Sequence, residues 1–244
     1  MTVDLALIEQ LHEFDTPSVA ESLLPLGCSD NYKYYMGNDL QLMTDVRAPM
    51  VGVALNLEVD TSSHGVEIQR EGLTQANKLM RASAIPTVIV MKCVGARLQH
   101  ECVVGDGMGK SFKVSGCVGL VTDGGARDLD GLSQLGLSVF AAGAVSDHAT
   151  LHYRQVDKPV TISDVAIHPG DLIHGDKNGV HVIPAIYHHA IVEACCLTRD
   201  FETRAHILLR RSDLSHQEAS SRVTELAQIR SDKCKQLMAT VPAE

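Results

Sequence analysis

A chain of 244 residues with 45% apolar side chains can bury a sizeable core, and it sits near the upper end of single-domain sizes. A formal charge of -9 and a pI near 5.7 give no broad attraction to phosphate backbones or anionic membranes. Nucleic acid and membrane are therefore excluded as expected partners, and an anionic ligand would need a local cation or guanidinium to hold it.

In chain order, the opening MTVDLALIEQLHEF carries acids and no basic leader, so no targeting segment is expected. Leu5, Ile8 and Leu11 recur at helical spacing, and Thr16-Pro17 resembles an N-cap followed by a first-turn proline that opens a second short helix. VGVALNLEV after Met50 and PTVIVMK from Pro86 are predicted strands, with a helix in VEIQREGLTQANKLM between them. The alternation continues with a helix in DGMGKSFKVS, a strand in CVGLVTD, a helix in RDLDGLSQL and a strand in LSVFAAG, which indicates an α/β layer with a largely parallel core. Residues 159–184 hold short apolar runs separated by Pro-Gly-Asp and Asp-Lys-Asn-Gly, the text of hairpins. Beyond Pro184 only helix formers follow, with a break at 212–215. The expected organisation is an α/β domain over 1–184 and a helical extension over 185–244, which packs on a neighbouring subunit or on its own domain. No run of about 18 apolar residues occurs, and the seven scattered cysteines contain no C-x-x-C pair, so reduced thiols in the cytoplasm are expected.

The segment that carries chemistry runs from Gly105-Asp-Gly-Met-Gly-Lys-Ser to Asp123-Gly-Gly-Ala-Arg-Asp128. Gly105, Gly107 and Gly109 stand where a loop enters a helix, so the backbone can approach an anion and point free N–H groups at it; a glycine-rich turn without a ligand fits as well. A Walker A loop needs four residues between its glycine and Gly-Lys-Ser, and a dinucleotide fingerprint needs glycine where Lys110 stands, so nucleotide binding is set aside. Arg127-Asp128 follows the apolar strand CVGLVT, at the strand end where open α/β sheets place their sites. There the guanidinium can fork onto a carboxylate while the aspartate holds a hard cation, although the pair also reads as an ordinary helix start. Lys110 and Lys113 read as solvated helix faces, and Asp123 as a turn former.

Gly105-Asp106, twenty intervening residues and Arg127-Asp128 resemble the signature of the RraA-like family, which includes 4-hydroxy-4-methyl-2-oxoglutarate/4-carboxy-4-hydroxy-2-oxoadipate aldolase. PGDLIHGDKNGVHVIP, from Pro169 to Pro184, is similar to the PGDxxxGDxxGVxxxP segment of that family. With the start at Asp15-Thr-Pro-Ser-Val-Ala-Glu, the likeness covers roughly residues 15–205. It implies an α/β three-layer sandwich of the swivelling β/α/β type, and a class II aldolase that uses Mg2+ or Mn2+. Such an enzyme cleaves a 4-hydroxy-2-oxo diacid to pyruvate and a second oxo-acid through a pyruvate enolate, with oxaloacetate decarboxylation as a side activity. By position, Asp128 would ligate the metal and Arg127 would bind the substrate carboxylate or stabilise the enolate. Asp106 would orient a water that carries the proton, and the amides of Gly107, Met108 and Gly109 would complete the carboxylate pocket. An outer-shell acid from a neighbouring subunit matches Glu202, with Glu193 second, and implies a homotrimer or homohexamer.

Two departures bear on the substrate. KCVGARLQHEC at 92–102 and Ser163-Asp164 differ from the family text, and AVSDHATLHYRQVDK at 144–158 places His148 and His152 at helical i, i+4 spacing. That pair is a zinc candidate or a polar face, and His152, Tyr153 and Arg154 are alternatives for reading a distal carboxylate. His168, His174 and His181 read as exposed strand positions. Two other functions remain open: a non-catalytic regulator of ribonuclease E that acts by protein contact, and a related lyase acting on a citrate-like or sugar-derived acid.

Overall fold

β-branched and aliphatic runs set the architecture. In a computed structural model that describes residues 3–63, 69–95, 97–148 and 150–240, the chain divides into two units, Thr2–Thr16 with Tyr32–Pro184 and Pro17–Asn31 with Ala185–Glu244. The first unit begins with α1 (Leu5–Leu11), whose N-cap Asp4 accepts a hydrogen bond from the Leu7 amide at 2.8 Å. There follow β1 (Gln41–Leu42), β2 (Met50–Ser63), α2 (Glu71–Ala82), β3 (Thr87–Val94), β4 (Cys102–Val104), α3 (Asp106–Lys113), β5 (Cys117–Thr122), β6 (Gly125–Ala126), α4 (Leu129–Gln134), β7 (Ser138–Ala141) and β8 (Gly143–Ala144). Then come β9 (Thr150–Val156), β10 (Val160–Ile162), β11 (Val165–Ile167), β12 (Leu172–Asp176) and β13 (Gly179–Ile183).

The main sheet runs β1-β7-β5-β3-β2-β12-β13, with β9 also on β2. β2, β3, β5 and β7 are parallel, and the flanking strands are antiparallel. A central parallel strand is covered on both faces, which is why Val88, Ile89, Val90 and Met91 form an unbroken apolar run and are all fully buried. On one face Leu57, Ile89 and Leu120 pack with Met80 of α2, Phe112 of α3 and Leu132 of α4. On the other, Ala54, Val90 and Val121 meet Ile162, Val165 and Ile167 of the β10–β11 hairpin. The layered α/β class expected from the sequence is the one observed.

A second, three-stranded sheet in the order β4-β6-β8 is parallel throughout and contributes Val103, Val104 and Ala126 to the helix-side core. It positions the candidate site.

The Pro169–Pro184 motif folds as the β12–β13 hairpin, and its acids are structural. Asp171 accepts the His168 amide at 2.7 Å, and Asp176 accepts the amides of Asn178 at 2.8 Å and Thr16 at 3.0 Å. His174 and His181, cross-strand partners in this hairpin, are fully buried, which corrects the expectation of exposed positions. His174 is enclosed by the N-terminal segment, its ring nitrogens lying 2.9 Å from Thr16 Oγ1 and 3.2 Å from the Leu11 carbonyl, and beside His181 a further extended segment pairs with β13: Tyr35 bridges to His181, the Met36 amide donates to the Val180 carbonyl and the Val182 amide donates to the Tyr34 carbonyl. His168 is exposed, as expected.

The second unit holds α5 (Ile191–Leu209) and α6 (His216–Ala239), together with residues 17–31. Ser215 and Glu218 form a capping box that starts α6 at the predicted break. Ser22 donates to Thr198 at 2.9 Å, and Arg230 pairs with Glu21 at 2.8 Å. Among the described residues no helix is long and apolar enough to cross a membrane.

Candidate active site

β4 and β6 are neighbours in a parallel sheet, so the residues that leave their C-terminal ends emerge side by side. The register is fixed by the Arg127 amide donating to the Val104 carbonyl at 3.0 Å and the Gly125 amide donating to the Glu101 carbonyl at 3.0 Å. Gly105-Asp106 thereby comes against Arg127-Asp128 across a gap of twenty residues. Gly105 is the N-cap of α3, and a Cβ there would lie 2.7 Å from Asp128 Oδ2 and 3.3 Å from Arg127 Nε. Only glycine permits this approach. The Asp106 amide donates to Asp128 Oδ2 at 3.3 Å, and Arg127 Nε stands 3.7 Å from the same oxygen.

Asp128 has φ 55° and ψ 41°, left-handed for a non-glycine residue. Such a conformation costs about 1 kcal/mol or more, and aspartate tolerates it better than most side chains. The strained turn aims the carboxylate back toward β4. The Arg127 guanidinium is half-buried, with Nη1 at 3.4 Å from the Ser146 carbonyl and 3.5 Å from Asp147 Oδ1. These long contacts leave most of its donor fork unspent.

Asp106 accepts from Lys110 Nζ at 2.6 Å, and that hydrogen bond, ahead of every other influence, holds its carboxyl below the usual carboxylate range. Lys110 therefore does more than solvate a helix face. Asp123 accepts from Lys92 and from the Cys93 amide at 2.7 Å, which ties β3 to the turn after β5.

The three amides expected to line the pocket part company at Gly109. Its N–H donates to the Gly105 carbonyl at 2.9 Å, closing the first helical turn, and its carbon faces Leu132. Gly107 and Met108 instead line a cavity of about 240 Å3 together with Asp106, Arg127, Asp128 and His148. A larger open groove of about 1220 Å3, bounded by residues such as Asp15, Arg47 and Asp176, is lined by none of Asp106, Arg127, Asp128 and His148. Glu193 and Glu202 both lie on α5, in the other unit.

His148 and His152 do not form a helical pair. β9 carries His152, which is buried, and His148 stands in the loop before it, lining the cavity. Alternation along β9 turns Leu151 and Tyr153 to the helix-side core and leaves Arg154 to pair with Asp60. Of the three proposed readers of a distal carboxylate, Tyr153 lines a cavity, which is also lined by Arg70. Arg70 and Leu151 were passed over in the sequence; the period-2 pattern of TLHYRQV was the available signal for the latter.

The donor set suits a hard cation. Among the described residues no group of three His, Cys, Asp or Glu side chains converges, as a structural zinc site requires. Two carboxylates on a cavity fit an ion of the Mg2+ type, which keeps several waters and takes one or two carboxylates. Burial pushes the thiols of Cys93, Cys117 and Cys195 up to about 12, which removes them as nucleophiles at neutral pH.

The sequence model of the RraA-like family, described as Aldolase/RraA, matches residues 17–182. A protein of Halalkalibacterium halodurans is 34% identical over 85 residues, 34% of this chain and 40% of that one. One from Pseudomonas syringae pv. tomato is 33% identical over 84 residues, 34% and 52% of the two chains. Both carry the name "Putative 4-hydroxy-4-methyl-2-oxoglutarate aldolase". The chain spans about half or less of the length of these curated relatives. Among solved structures, an uncharacterized protein from Pseudomonas syringae pv. tomato superposes with a TM-score of 0.69 at 21% identity, covering 91% of this chain and 96% of that one. Streptomyces coelicolor RraAS2, an unusual member of the RNase ES inhibitor RraA protein family, gives 0.67 at 22%, covering 85% and 98%. At these identities the two structures speak for the fold alone.

Proposed function

The chain belongs to the RraA-like family, and on that membership and the Asp106–Arg127–Asp128 cluster we propose that it is a divalent-metal-dependent lyase, cleaving a 4-hydroxy-2-oxo diacid to pyruvate and a second oxo-acid. The observation that carries the reading is the adjacency of β4 and β6, which puts two carboxylates and a lightly engaged guanidinium on one cavity. Asp128 would hold Mg2+ or Mn2+ directly and Asp106 through water. When bound, the cation supplies a Lewis acid for the 2-oxo group and lowers the pKa of water.

The chain's own groups do the rest. Arg127 offers a planar fork to the substrate carboxylate and to the negative charge that develops when the carbon–carbon bond breaks. The amides of Gly107 and Met108 lie on the same wall. Asp106, paired with Lys110, orients the water that returns a proton to the pyruvate carbon. Oxaloacetate decarboxylation asks the same of these residues and is proposed as a side activity. No Schiff-base lysine is required. The site is proposed to work in the cytoplasm, in a homotrimer or homohexamer, with Glu202 of a neighbouring subunit in the metal's outer shell.

Inhibition of RNase ES, the role named for the Streptomyces coelicolor neighbour's family, asks no metal chemistry of these three residues, and their convergence favours chemistry. A pyruvate-release assay decides between them, using oxaloacetate and 4-hydroxy-4-methyl-2-oxoglutarate with and without Mg2+ or Mn2+. Asparagine tolerates the left-handed conformation, so Asp128→Asn removes charge without adding strain. Metal-dependent release is expected in the wild type and a loss of at least about a hundredfold in Asp128→Asn. Turnover indifferent to both metal and Asp128 ends the assignment, and silence with both substrates moves it to the regulator or to a lyase for a citrate-like or sugar-derived acid.

A further inference from the structure

We infer that the cavity beside Arg70 is a subsite for the substrate's distal carboxylate, so that the chain selects oxo-acids bearing a second carboxylate over monocarboxylic oxo-acids of equal length. The inference rests on Arg127 and Asp128 holding the oxo-acid head, as proposed above.

The second cavity, of about 350 Å3, shares Gly107, Met108, His148 and Leu151 with the first, so the two compartments adjoin along one wall. A ligand whose head sits by Arg127 extends naturally into it. Its polar lining residues are Arg70, Tyr153, Ser111 and His148, with no carboxylate among the described residues. In a chain of net charge -9, a compartment with a guanidinium and no acid is a distinct electrostatic choice. Arg70 is exposed and has no ion pair with a carboxylate among the described residues.

The local fold fixes these groups relative to one another. Arg70 is the N-cap of α2, and two residues later Gly72 presses on β9 so closely that a Cβ would lie 2.7 Å from the Tyr153 carbonyl. α2 is thus seated on Tyr153, and the guanidinium lies near enough to the phenol to act on it electrostatically. Burial raises the Tyr153 phenol above its usual range, so it stays a donor at neutral pH. Among the described residues its hydroxyl has a hydrogen-bond partner in the Met108 sulfur, at 3.8 Å, a weak acceptor that a carboxylate oxygen would outcompete. A forked guanidinium and a phenolic O–H beside apolar Leu73 and Leu151 suit a carboxylate on a short aliphatic arm.

The test uses 2-oxoglutarate, which has the diacid skeleton but no 4-hydroxyl group to support cleavage, and 2-oxopentanoate, which has the same length and lacks the distal carboxylate. Calorimetric titration in Mg2+ compares wild type, Arg70→Ala, Arg70→Lys and Asp128→Asn. The wild type is expected to bind 2-oxoglutarate about ten- to a hundredfold more tightly than 2-oxopentanoate. Arg70→Ala erases that preference with 2-oxopentanoate affinity unchanged, and Arg70→Lys restores part of it. No measurable preference in the wild type, or a preference that survives Arg70→Ala, overturns the subsite, as does equal weakening of both acids. Asp128→Asn separates the two readings: if it leaves both affinities intact while Arg70→Ala still acts on the diacid alone, the head assignment fails and the subsite stands.

Discussion

At the residue scale, Gly105 carries a constraint that burial alone does not reveal. Its φ of -135° is extended backbone that any residue adopts, so the demand for glycine comes from Asp128 and Arg127 pressing against its missing side chain. A methyl group 2.7 Å from Asp128 Oδ2 must push the carboxylate aside, while the main-chain register between β4 and β6 is untouched. A displacement near 1 Å in a positioned group costs about a hundredfold in rate. Gly105→Ala is therefore expected to lose about ten- to a hundredfold in metal-dependent pyruvate release while its thermal midpoint stays within a few degrees of the wild type. Full activity at an unchanged midpoint would show that Asp128 is not held where the proposed chemistry needs it.

At the scale of elements, what the sequence declared depended on length. β2, β3 and β5 are six to fourteen residues long, and their β-branched runs announce them. β4, β6 and β8 are two or three residues each, below any periodicity, yet their pairing creates the site. The site residues were legible only as a motif; the strand adjacency that unites them was not. His174 and His181 read as exposed because period 2 marks a face and not what covers it: Leu11 and Thr16 close over His174 and the Tyr34–Met36 segment runs beside His181, both from distant parts of the chain. Their burial has a thermodynamic consequence. Desolvation pushes both imidazoles below their usual value, His181 to about 4, so the folded state keeps them neutral while the unfolded chain protonates near 6.5. A depressed folded pKa means stability fully present above 6.5 and lost as pH falls toward 4. For His181 the loss is on the order of 3 kcal/mol across that window. Chemical denaturation at pH 7 and pH 4.5 should show this decline, and His181→Gln should make it shallower, leaving the part that belongs to His174. An equal slope in the variant would assign acid sensitivity to other groups.

For the whole molecule, the helical unit raises the question of what a long, thinly cored hairpin is for. α6 runs 24 residues and buries only Ala219 and Cys234, while Ile207 and Leu209 on α5 and Ile229 on α6 are about half exposed. Helices of this length draw their stability from packing an apolar face, and a single hairpin supplies little of it. A neighbouring subunit would cover those side chains, and the proposed outer-shell role of Glu202 would then make activity depend on assembly. Sedimentation of the 26.3 kDa chain is expected to give a mass of three or six subunits. Charges placed at these exposed apolar positions, as in Ile207→Glu with Ile229→Glu, should shift the mass toward the monomer, keep the far-ultraviolet circular dichroism, and lower metal-dependent turnover in parallel with dissociation. A wild type that sediments as a fully active monomer would free the site from its neighbours and leave Glu202 an ordinary helix acid. Oligomers that dissociate without loss of turnover would keep the interface and remove Glu202 from the chemistry.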